Sequence, residues 1–339
     1  MLSSALCFRR YVTILNTSLL PLLAAGEFVS GQQLADVLGV SRTAVWKQLN
    51  KLSELGLEIE SVKGRGYRIE GGVDLLQASQ VTAAMGPEAL RLLSQLDIRQ
   101  TIGSTNAEAM ARIVAGSGAG YVCTAEQQTA GRGRRGRQWV SPYARNLYLS
   151  VVWEYNQGAA VLEGMSLACG VAVARALATC GLPPVQLKWP NDVLYQGAKL
   201  GGILLEMTGD AAGACQVVVG IGLNVAMPPQ QAGGIDQAWT DIATASGGSY
   251  PGRNVLLGSM LSELLPMLAD FEAGGFGPWR EEWMALDAYA DTAVVISSGA
   301  QQMAGTARGV DGRGALQLQT AASGMQSVFG GEITLRPAP

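Results

Sequence analysis

SGQQLADVLGVSRTAVWKQLNKLSELG, residues Ser30 to Gly56, decides the fold of the first part of this chain. Two short segments in it carry apolar residues at helical spacing, with Gly39 and Val40 between them. These apolar positions are Leu34, Val37 and Leu38 in the first segment and Val45, Leu49 and Leu52 in the second. Ser41 stands where an N-cap residue would begin the second helix. Two short helices joined by a glycine turn are typical of the helix-turn-helix motif.

A small hairpin is predicted directly after these helices. In LEIESVKGRGYRIEG, Leu57 to Gly71, apolar and polar residues alternate on both sides of the central residues 63–66. A helix-turn-helix followed by a hairpin is a winged helix. We therefore predict a winged-helix DNA-binding domain over residues 1–79.

The helix-turn-helix from Gly31 to Asn50 is predicted to contact DNA, mainly through its second helix. The side chains able to reach base edges or phosphates are Gln32, Ser41, Arg42, Thr43, Lys47, Gln48 and Lys51. Residues 1–75 hold eight Lys and Arg against seven Asp and Glu, so this domain is nearly neutral. A nearly neutral domain binds DNA weakly, which favours two copies acting together on a dyad. A motif that serves only protein contacts is the alternative.

Composition narrows the class of protein. The 339 residues are 48% hydrophobic and 15% charged, which is enough to bury the cores of two or three domains. The net charge of −3 restricts any DNA contact to a local patch. The sequence has no histidine, which excludes Ser-His-Asp triads and HExxH zinc proteases.

We predict a cytoplasmic protein with no membrane partner. Five scattered cysteines without a CxxC pair favour a reducing compartment. Arg9 and Arg10 precede YVTILNTSLLPLLAAG, which loosely imitates a signal peptide, but polar residues 16–18 interrupt the apolar run. No other stretch approaches the roughly 20 apolar residues needed to span a bilayer.

The whole chain is predicted to be α+β, with a central mixed α/β domain over residues 80–284 and a small β-barrel-like module over residues 285–339. Thr105-Asn106-Ala107-Glu108 is a capping box that would begin a helix through Val114. A strand is predicted from Asn146 to Trp153 and a helix from Val161 to Cys180, and buried strands are predicted at VQLKWP, KLGGILLEM and CQVVVGIGLNV. A long loop is predicted from Met227 to Tyr250, interrupted only by Trp239. The last predicted element is a helix from Asn254 to Gly275 that is kinked or restarted at Pro266.

The stretch GRGRRGRQW, Gly131 to Trp139, concentrates positive charge in a slightly acidic chain. Its letters satisfy the dinucleotide fingerprint GxGxxG, but that fingerprint needs a preceding strand and a following helix, whereas a polar run precedes and a strand follows here. Arg137-Gln138 stand where a Walker motif requires Lys-Ser/Thr. Glycines between arginines predict a flexible loop that becomes ordered when anions draw the guanidinium groups inward. The expected ligand is therefore anionic and enclosed.

Five motifs in order along the chain resemble those of the biotin protein ligase family. They are GSTN (Gly103 to Asn106), QTAGRGRRGRQW (Gln128 to Trp139), KWPND (Lys188 to Asp192), KLGGILLE (Lys199 to Glu206) and GIGLNV (Gly220 to Val225). With the winged helix, the chain is similar to the bifunctional branch that also represses the biotin operon. The resemblance implies a catalytic domain of the biotin/lipoate ligase type and a C-terminal SH3-like β-barrel.

The resemblance also implies a reaction in two steps. Biotin and ATP with Mg²⁺ would give biotinyl-5'-AMP, and a lysine of the biotin carboxyl carrier protein of acetyl-CoA carboxylase would then take the biotin. The adenylate would act as corepressor, promoting a homodimer on operator DNA. Such chemistry needs positioning and charge neutralisation rather than a histidine.

Site residues are implied by matching the motifs position by position. Lys188 would bridge the biotin carboxylate and the α-phosphate, and Arg134 would join it in catalysis. The residues implied to bind biotin are Ser104, Thr105, Asn106, Gln128, Arg132, Gly133, Arg134, Lys188, Gly220 and Gly222. Those implied to bind ATP or the adenylate are Arg134, Arg137, Asn191, Asn224, Trp239 and Arg336. No side chain is assigned to a metal.

Two other functions stay open at this point. A lipoate or octanoate ligase is disfavoured by the polar Ser-Thr-Asn set, because a ureido ring requires several hydrogen bonds and a dithiolane does not. A ligand-sensing repressor without catalysis is disfavoured by Lys188 and the intact arginine loop.

Overall fold

We describe the protein from a computed structural model, which covers residues 19–210, 213–298, 301–330 and 333–338. The signal-like segment beginning at Arg9 lies mostly outside these described residues. The α+β class is confirmed: an N-terminal helix-turn-helix with a hairpin, a central mixed sheet and a C-terminal antiparallel sheet follow one another. No helix in the described part of the chain is both long and apolar enough to cross a membrane.

The N-terminal part is a winged helix. Residues 19–23 are helical, α1 spans Gly31–Leu38, α2 spans Arg42–Glu54, and β1 (Ile59–Val62) pairs antiparallel with β2 (Gly66–Ile69). The Ser41 hydroxyl caps α2 by accepting from the Ala44 amide at 3.2 Å. Gly39 ends α1 in the left-handed region, with φ of 63°. The predicted helix, glycine turn and cap are therefore confirmed.

The central part is built on one seven-stranded sheet in the order β3-β4-β5-β9-β8-β7-β6. The strands are β3 (Gln95–Ile102), β4 (Tyr121–Gln128), β5 (Leu147–Tyr155), β6 (Gln186–Lys188), β7 (Asp192–Tyr195), β8 (Ala198–Gly209) and β9 (Cys215–Leu223). Strands β3 and β4 run parallel, and the other neighbours run antiparallel. The buried strands predicted in this region are confirmed.

Helices cover both faces of this sheet. They are α3 (Ala78–Ala83), α4 (Pro87–Leu92), α5 (Thr105–Val114), α6 (Met165–Thr179), α7 (Ile242–Ala245), α8 (Arg253–Gly274) and α9 (Arg280–Leu286). Side chains alternate along the strands, so Val217 and Val219 join the main core with α6 and α8, while Val218 packs with α5 on the other face. The sheet is therefore buried on both sides.

The C-terminal part is a five-stranded antiparallel sheet in the order β13-β12-β11-β10-β14. Its strands are β10 (Ala293–Ser298), β11 (Gln301–Val310), β12 (Leu316–Thr320), β13 (Gly324–Val328) and β14 (Ile333–Pro337). Val294, Ile296 and Ala307 belong to the same buried cluster as α6 and α8. This sheet is thus fixed against the central part through a shared core.

Several predicted details are wrong. Helix α5 has Ser104 as N-cap with no side-chain hydrogen bond, so the Thr105 capping box does not form, and Glu108 instead accepts from Arg112 Nε at 3.0 Å. Helix α6 begins at Met165, four residues later than predicted, because Gly164 adopts a left-handed φ of 72°. Helix α8 is one helix through Pro266, so the predicted restart at this residue does not occur, and the surrounding leucines are buried. The loop from Met227 to Tyr250 also contains the short helix α7.

A buried ion pair lies where the winged helix meets the central part. Arg253 at the start of α8 and Glu126 on β4 are 2% and 0% exposed, with Nη1 and Oε2 2.7 Å apart. The second Glu126 oxygen accepts from the Leu76 amide at 2.6 Å, and Arg253 donates to the carbonyls of Asp74 and Asn146. The connecting segment around residues 74–76 is therefore fastened to the sheet and to the long helix at once.

The winged helix is also completed by residues from the central part. Tyr143 and Ala144, which lie between the arginine loop and β5, are almost fully buried in the same cluster as the winged-helix core. The Tyr143 hydroxyl donates to Gln100 Oε1. The two units thus share a continuous apolar contact.

We predict that Arg253→Met destabilises the protein by about 3–5 kcal/mol, because it leaves the Glu126 carboxylate buried without its cation. Urea titration of the parent and variant measures the free energy of unfolding. The matched control is Arg308→Met, which removes a surface pair with Asp291 and should cost about 0–1 kcal/mol. Equal losses in the two variants would contradict the assigned importance of the buried pair.

Candidate active site

One cavity of about 380 Å³ lies over the central sheet, between the arginine loop and the C-terminal sheet. It brings together thirteen of the predicted biotin- or ATP-binding residues: Ser104, Thr105, Asn106, Gln128, Arg132, Gly133, Arg134, Arg137, Lys188, Asn191, Gly220, Gly222 and Arg336. These residues come from motifs spread over more than 200 positions of sequence. The fold therefore gathers the motifs into one place.

One end of the cavity carries a connected network of neutral polar groups. Gln128 Oε1 accepts from the backbone amide of Thr105 at 2.8 Å and from its hydroxyl at 3.2 Å. Ser150, fully buried on β5, lies 2.8 Å from the Thr105 hydroxyl and donates to Asn106 Oδ1 at 2.6 Å. The network holds hydroxyl and amide groups in fixed positions, as recognition of a polar ring requires.

Glu206 joins this network to the arginine loop. Its Oε2 atom accepts from Asn106 Nδ2 at 2.7 Å and from Arg132 Nη2 at 3.0 Å. Glu206 and Ser150 were not predicted as site residues. Glu206 ends the KLGGILLE motif and could have been found there, whereas Ser150 is one polar residue in an apolar strand and gives no comparable signal.

The arginine loop makes several hydrogen bonds to the protein itself, and the expectation that anions order it stays a prediction. Residues Arg134–Gly136 form a 3₁₀ turn, and the Gly133 amide donates to the Arg137 carbonyl at 2.7 Å. Arg134 donates to Asn191 Oδ1 at 2.8 Å and to the Ile333 carbonyl of β14 at 3.4 Å. Arg134 thus connects the loop to the segment after β6 and to β14.

Arg134 and Lys188 are cations in an environment that disfavours charge. Burial is the main cause that lowers the pKa of Arg134, and Asp192 opposes this effect. Burial also lowers the pKa of Lys188, helped by the positive charges of Lys199, Arg336 and Arg137 and again opposed by Asp192. A cavity crowded with cations is electrostatically suited to anions.

Asp192 and Lys199 form an ion pair in the cavity wall, with 2.6 Å between Nζ and Oδ1. Neither was predicted as a site residue, although each ends or begins one of the quoted motifs. The pair leaves Asp192 partly neutralised beside Lys188.

Tyr289 also lines the cavity, with its ring centroid 5.9 Å from Lys188 Nζ, and no sequence signal marked it.

The interpretation of Gly220 and Gly222 as sites of close approach is confirmed, with protein side chains as the neighbours. A Cβ atom at Gly220 would lie 2.1 Å from Asn106 Oδ1, and one at Gly222 would lie 2.4 Å from the Trp139 ring. Trp139 Nε1 is buried with no hydrogen-bond partner among the described residues. Trp139 therefore lines the cavity over a glycine floor, a role the sequence analysis did not assign.

Two predicted nucleotide contacts do not line the cavity. Asn224 is buried and donates from Nδ2 to the Thr240 carbonyl at 3.0 Å, which holds the loop after β9. Trp239 forms a bridge with Lys199 at the edge of β8, and the neighbouring residues 236–238 reach the cavity instead. The Gly-Ile-Gly-Leu-Asn-Val motif therefore contributes its glycines to the cavity, while its asparagine supports a loop.

The predicted DNA-contacting residues also separate into two groups. Exposed on α1, α2 or the turn between them are Gln32, Ser41, Arg42, Thr43 and Lys47, and Lys51 is half-buried. Gln48 is 8% exposed, so its prediction as a base-reading residue is wrong; the helix turns this position toward the core beside Leu49. The remaining side chains stay predictions for a DNA interface.

The chain matches three family models in order. The model of the biotin/lipoate A/B protein ligase family matches residues 104–224, flanked by an HTH domain over residues 10–68 and a biotin protein ligase C-terminal domain over residues 293–336. The bifunctional ligase/repressor BirA of Escherichia coli is 38% identical over 94% of this chain and 97% of its own length. That of Bacillus subtilis is 30% identical over 92% and 95%.

Solved structures agree with these matches. The biotin protein ligase of Aquifex aeolicus in complex with biotin and ATP superposes with a TM-score of 0.60 at 26% identity, covering 73% of this chain and 100% of that one. The chain therefore belongs to the biotin protein ligases, in the bifunctional ligase/repressor family. The helix-turn-helix, the central sheet and the C-terminal sheet follow one another in the order in which the three family models match.

We predict that Lys188→Met stabilises the folded protein at pH 7 by about 0.5–1 kcal/mol, while removing a functional group. Because the folded state lowers the pKa of Lys188, the unfolded chain binds the proton more tightly, and the parent gains stability as pH rises toward 10.5, the ordinary lysine value. The advantage of the variant should shrink over that rise. Urea titrations at pH 7 and pH 9.5 measure it, with the exposed Lys47→Met as control. A pH-independent difference would contradict the prediction.

Proposed function

We propose that the protein is an ATP-dependent biotin protein ligase that also represses transcription in response to biotin. The main support for this proposal is the cavity, in which a network of neutral polar groups around Asn106 lies next to a cluster of cations around Lys188. The neutral end is suited to bind an uncharged polar ring, and the cationic end is suited to bind a carboxylate next to a triphosphate. The membership of the chain in the bifunctional family supports both halves of the proposal.

The reaction runs in two steps. The biotin carboxylate oxygen attacks the α-phosphorus of ATP, forming biotinyl-5'-AMP as pyrophosphate leaves. The ε-amine of a carrier-protein lysine then attacks the acyl carbon, forming an amide as AMP leaves and the amine loses a proton. Lys188 stabilises the negative charge that accumulates when two anions are brought together. Arg134, held against Asn191 and β14, keeps the adenylate enclosed between the steps.

The roles of the other cavity residues follow from their positions. At the neutral end, Ser104, Thr105, Asn106 and Gln128 bind the ureido ring, while Gly220 and Gly222 let Asn106 and Trp139 pack closely against β9 beside it. At the cationic end, Arg132, Arg137 and Arg336 approach carboxylate or phosphate oxygens, and Asn191 orients Arg134. These assignments belong to the proposal.

Magnesium enters with ATP in this proposal. Among the described residues no group of three carboxylates or thiols could hold a metal ion, and Asp192 is already paired with Lys199. Mg²⁺ commonly binds through substrate phosphates with one or two carboxylates, so the triphosphate would be its main ligand. It would neutralise phosphate charge, and the chain's own cations would neutralise the rest.

The macromolecular partners follow from the two activities. The acceptor is the biotin carboxyl carrier protein of acetyl-CoA carboxylase, since a relative from Paracoccus denitrificans that is 37% identical is named a biotin--[acetyl-CoA-carboxylase] ligase. The DNA partner is an operator bound by a homodimer that forms with biotinyl-5'-AMP. The proposal includes cytoplasmic location and three units over residues 1–79, 80–284 and 285–339.

Carrier labelling tests the enzymatic half. Protein, ATP, Mg²⁺, biotin and apo-carrier are incubated, and mass spectrometry follows addition of biotin to one lysine. Lys188→Met should slow pyrophosphate release by about 10²-fold or more. Lipoate replaces biotin in a parallel reaction. Labelling by lipoate alone would favour a lipoate ligase, and absence of any pyrophosphate release would leave a non-catalytic repressor.

We predict that Arg134→Gly lets biotinyl-5'-AMP escape faster, by about tenfold or more, because the loop loses its contacts with Asn191 and β14. Adenylation itself should continue. Stopped-flow displacement of prebound adenylate measures the dissociation rate. Arg135→Gly is the control, because Arg135 is exposed and its φ of 60° suits glycine. The two variants should differ, and an unchanged rate in Arg134→Gly would refute the enclosing role.

We predict that Lys47→Ala weakens binding to DNA from upstream of biotin-synthesis genes and reduces the salt dependence of binding by about one counterion per subunit. Gel mobility shifts with and without biotin and ATP measure affinity and its dependence on the adenylate. Arg91→Ala removes an exposed charge from the central part and serves as control. Mobility shifts that ignore biotin and ATP would separate DNA binding from the ligase activity.

A further inference from the structure

We propose that Glu206 is a positioning residue that couples the ring-binding end of the cavity to the arginine loop. The structure gives one carboxylate oxygen, Oε2, two donors from distant segments: Asn106 at the start of α5 and Arg132 in the loop. Glu206 lies on β8 in the central sheet, so both segments are hydrogen-bonded to the same strand. The catalytic meaning of this contact rests on the proposed ligase function, whereas the contact itself does not.

Glu206 fixes the orientation of the Asn106 amide. Asn106 Nδ2 donates to Glu206 and more weakly to the Leu204 carbonyl at 3.4 Å, while Oδ1 accepts from the buried Ser150 hydroxyl. An acceptor on one side and a donor on the other leave the amide only one satisfied orientation. Asn106 therefore presents its remaining hydrogen-bonding capacity to the cavity in a fixed arrangement.

Glu206 also restrains Arg132. The Arg132 side chain is 46% exposed and flanked by two glycines, so the backbone on each side is permissive. A carboxylate at 3.0 Å gives it a charge-assisted hydrogen bond to the sheet. The backbone bridge between Arg132 and Gln138 closes the base of the same loop. Loss of the carboxylate would free the loop close to where it covers the cavity.

Because Asn106 and Arg132 donate to the same oxygen of Glu206, a change in one of these hydrogen bonds affects the other. When Arg132 moves away from Glu206, the carboxylate is left to Asn106 alone, and a change in Asn106 likewise alters the acceptor that Arg132 uses. Binding of a ring at Asn106 and closure of the loop are therefore linked through Glu206. Glu206→Gln removes the charge with little change in size and weakens the bond to Arg132 more than the bond to Asn106.

The first test uses the ligand-free protein and needs no activity. Trypsin cleaves after arginine, and the loop offers Arg132, Arg134, Arg135 and Arg137. Cleavage between residues 131 and 139 should be about five- to tenfold faster in Glu206→Gln than in the parent, because the loop opens more often. Glu282→Gln, which removes the carboxylate of a surface pair with Arg175, should leave the rate unchanged. Equal rates in Glu206→Gln and the parent would overturn the proposal.

The second test separates positioning from general damage. In pyrophosphate release, Glu206→Gln should raise KM for biotin by about tenfold while KM for ATP stays within about twofold. A rise confined to ATP would overturn the proposal. An inactive parent would instead remove the proposed function, and the tryptic rates would still decide the role of Glu206.

A double-mutant cycle identifies the partner through which Glu206 acts. Arg132→Gln and the double variant Arg132→Gln with Glu206→Gln should show nearly the same tryptic rate, because the second change removes an interaction already lost. Fully additive effects would mean that Glu206 does not act through Arg132 and would overturn the proposal.

Discussion

The ion pair between Glu126 and Arg253 is the interaction on which the arrangement of the parts depends. Neither charge reaches water, so each requires the other, and further hydrogen bonds join the pair to the backbone at residues 74, 76 and 146. The pair therefore fixes a central strand, the long helix and the segment from the winged helix relative to one another. A buried pair of this kind fixes the relative positions of the elements that it joins more than it adds to the free energy of unfolding.

The cavity is a second place where charged side chains are partly removed from water. The chain is acidic overall, yet arginines and lysines from four separate segments line one cavity, and few carboxylates accompany them. Asp192 and Glu206 are each engaged by a cation, so they limit the repulsion without cancelling the field. Burial is the main cause that lowers the pKa of Lys188 and of Arg134, and neighbouring cations add to the effect. An anionic ligand reduces the repulsion between these cations, so a neutral network and a cationic wall can share one site.

Much of this could be predicted from sequence because the informative residues are local. The spacing of Leu34 and Leu49 and the cap at Ser41 define the winged helix, and ordered motifs locate most of the cavity lining. What escaped prediction depends on contacts between distant segments. Ser150 looks like any polar residue within an apolar strand until Asn106 is packed against it. Gln48 lies on a helix whose buried face is set by neighbouring elements, so helical spacing alone did not exclude it from the exposed face.

Tyr143 and Ala144 give the winged helix a dependence that its sequence does not reveal. They complete its apolar core, yet they follow Trp139 of the arginine loop by only four and five positions. A ligase fragment cut at residue 80 would expose both side chains, and a separated winged helix would lack part of its interior. The DNA-binding unit therefore shares part of its apolar core with the ligase unit, and a fragment lacking it would gain solubility from polar replacements at Tyr143 and Ala144.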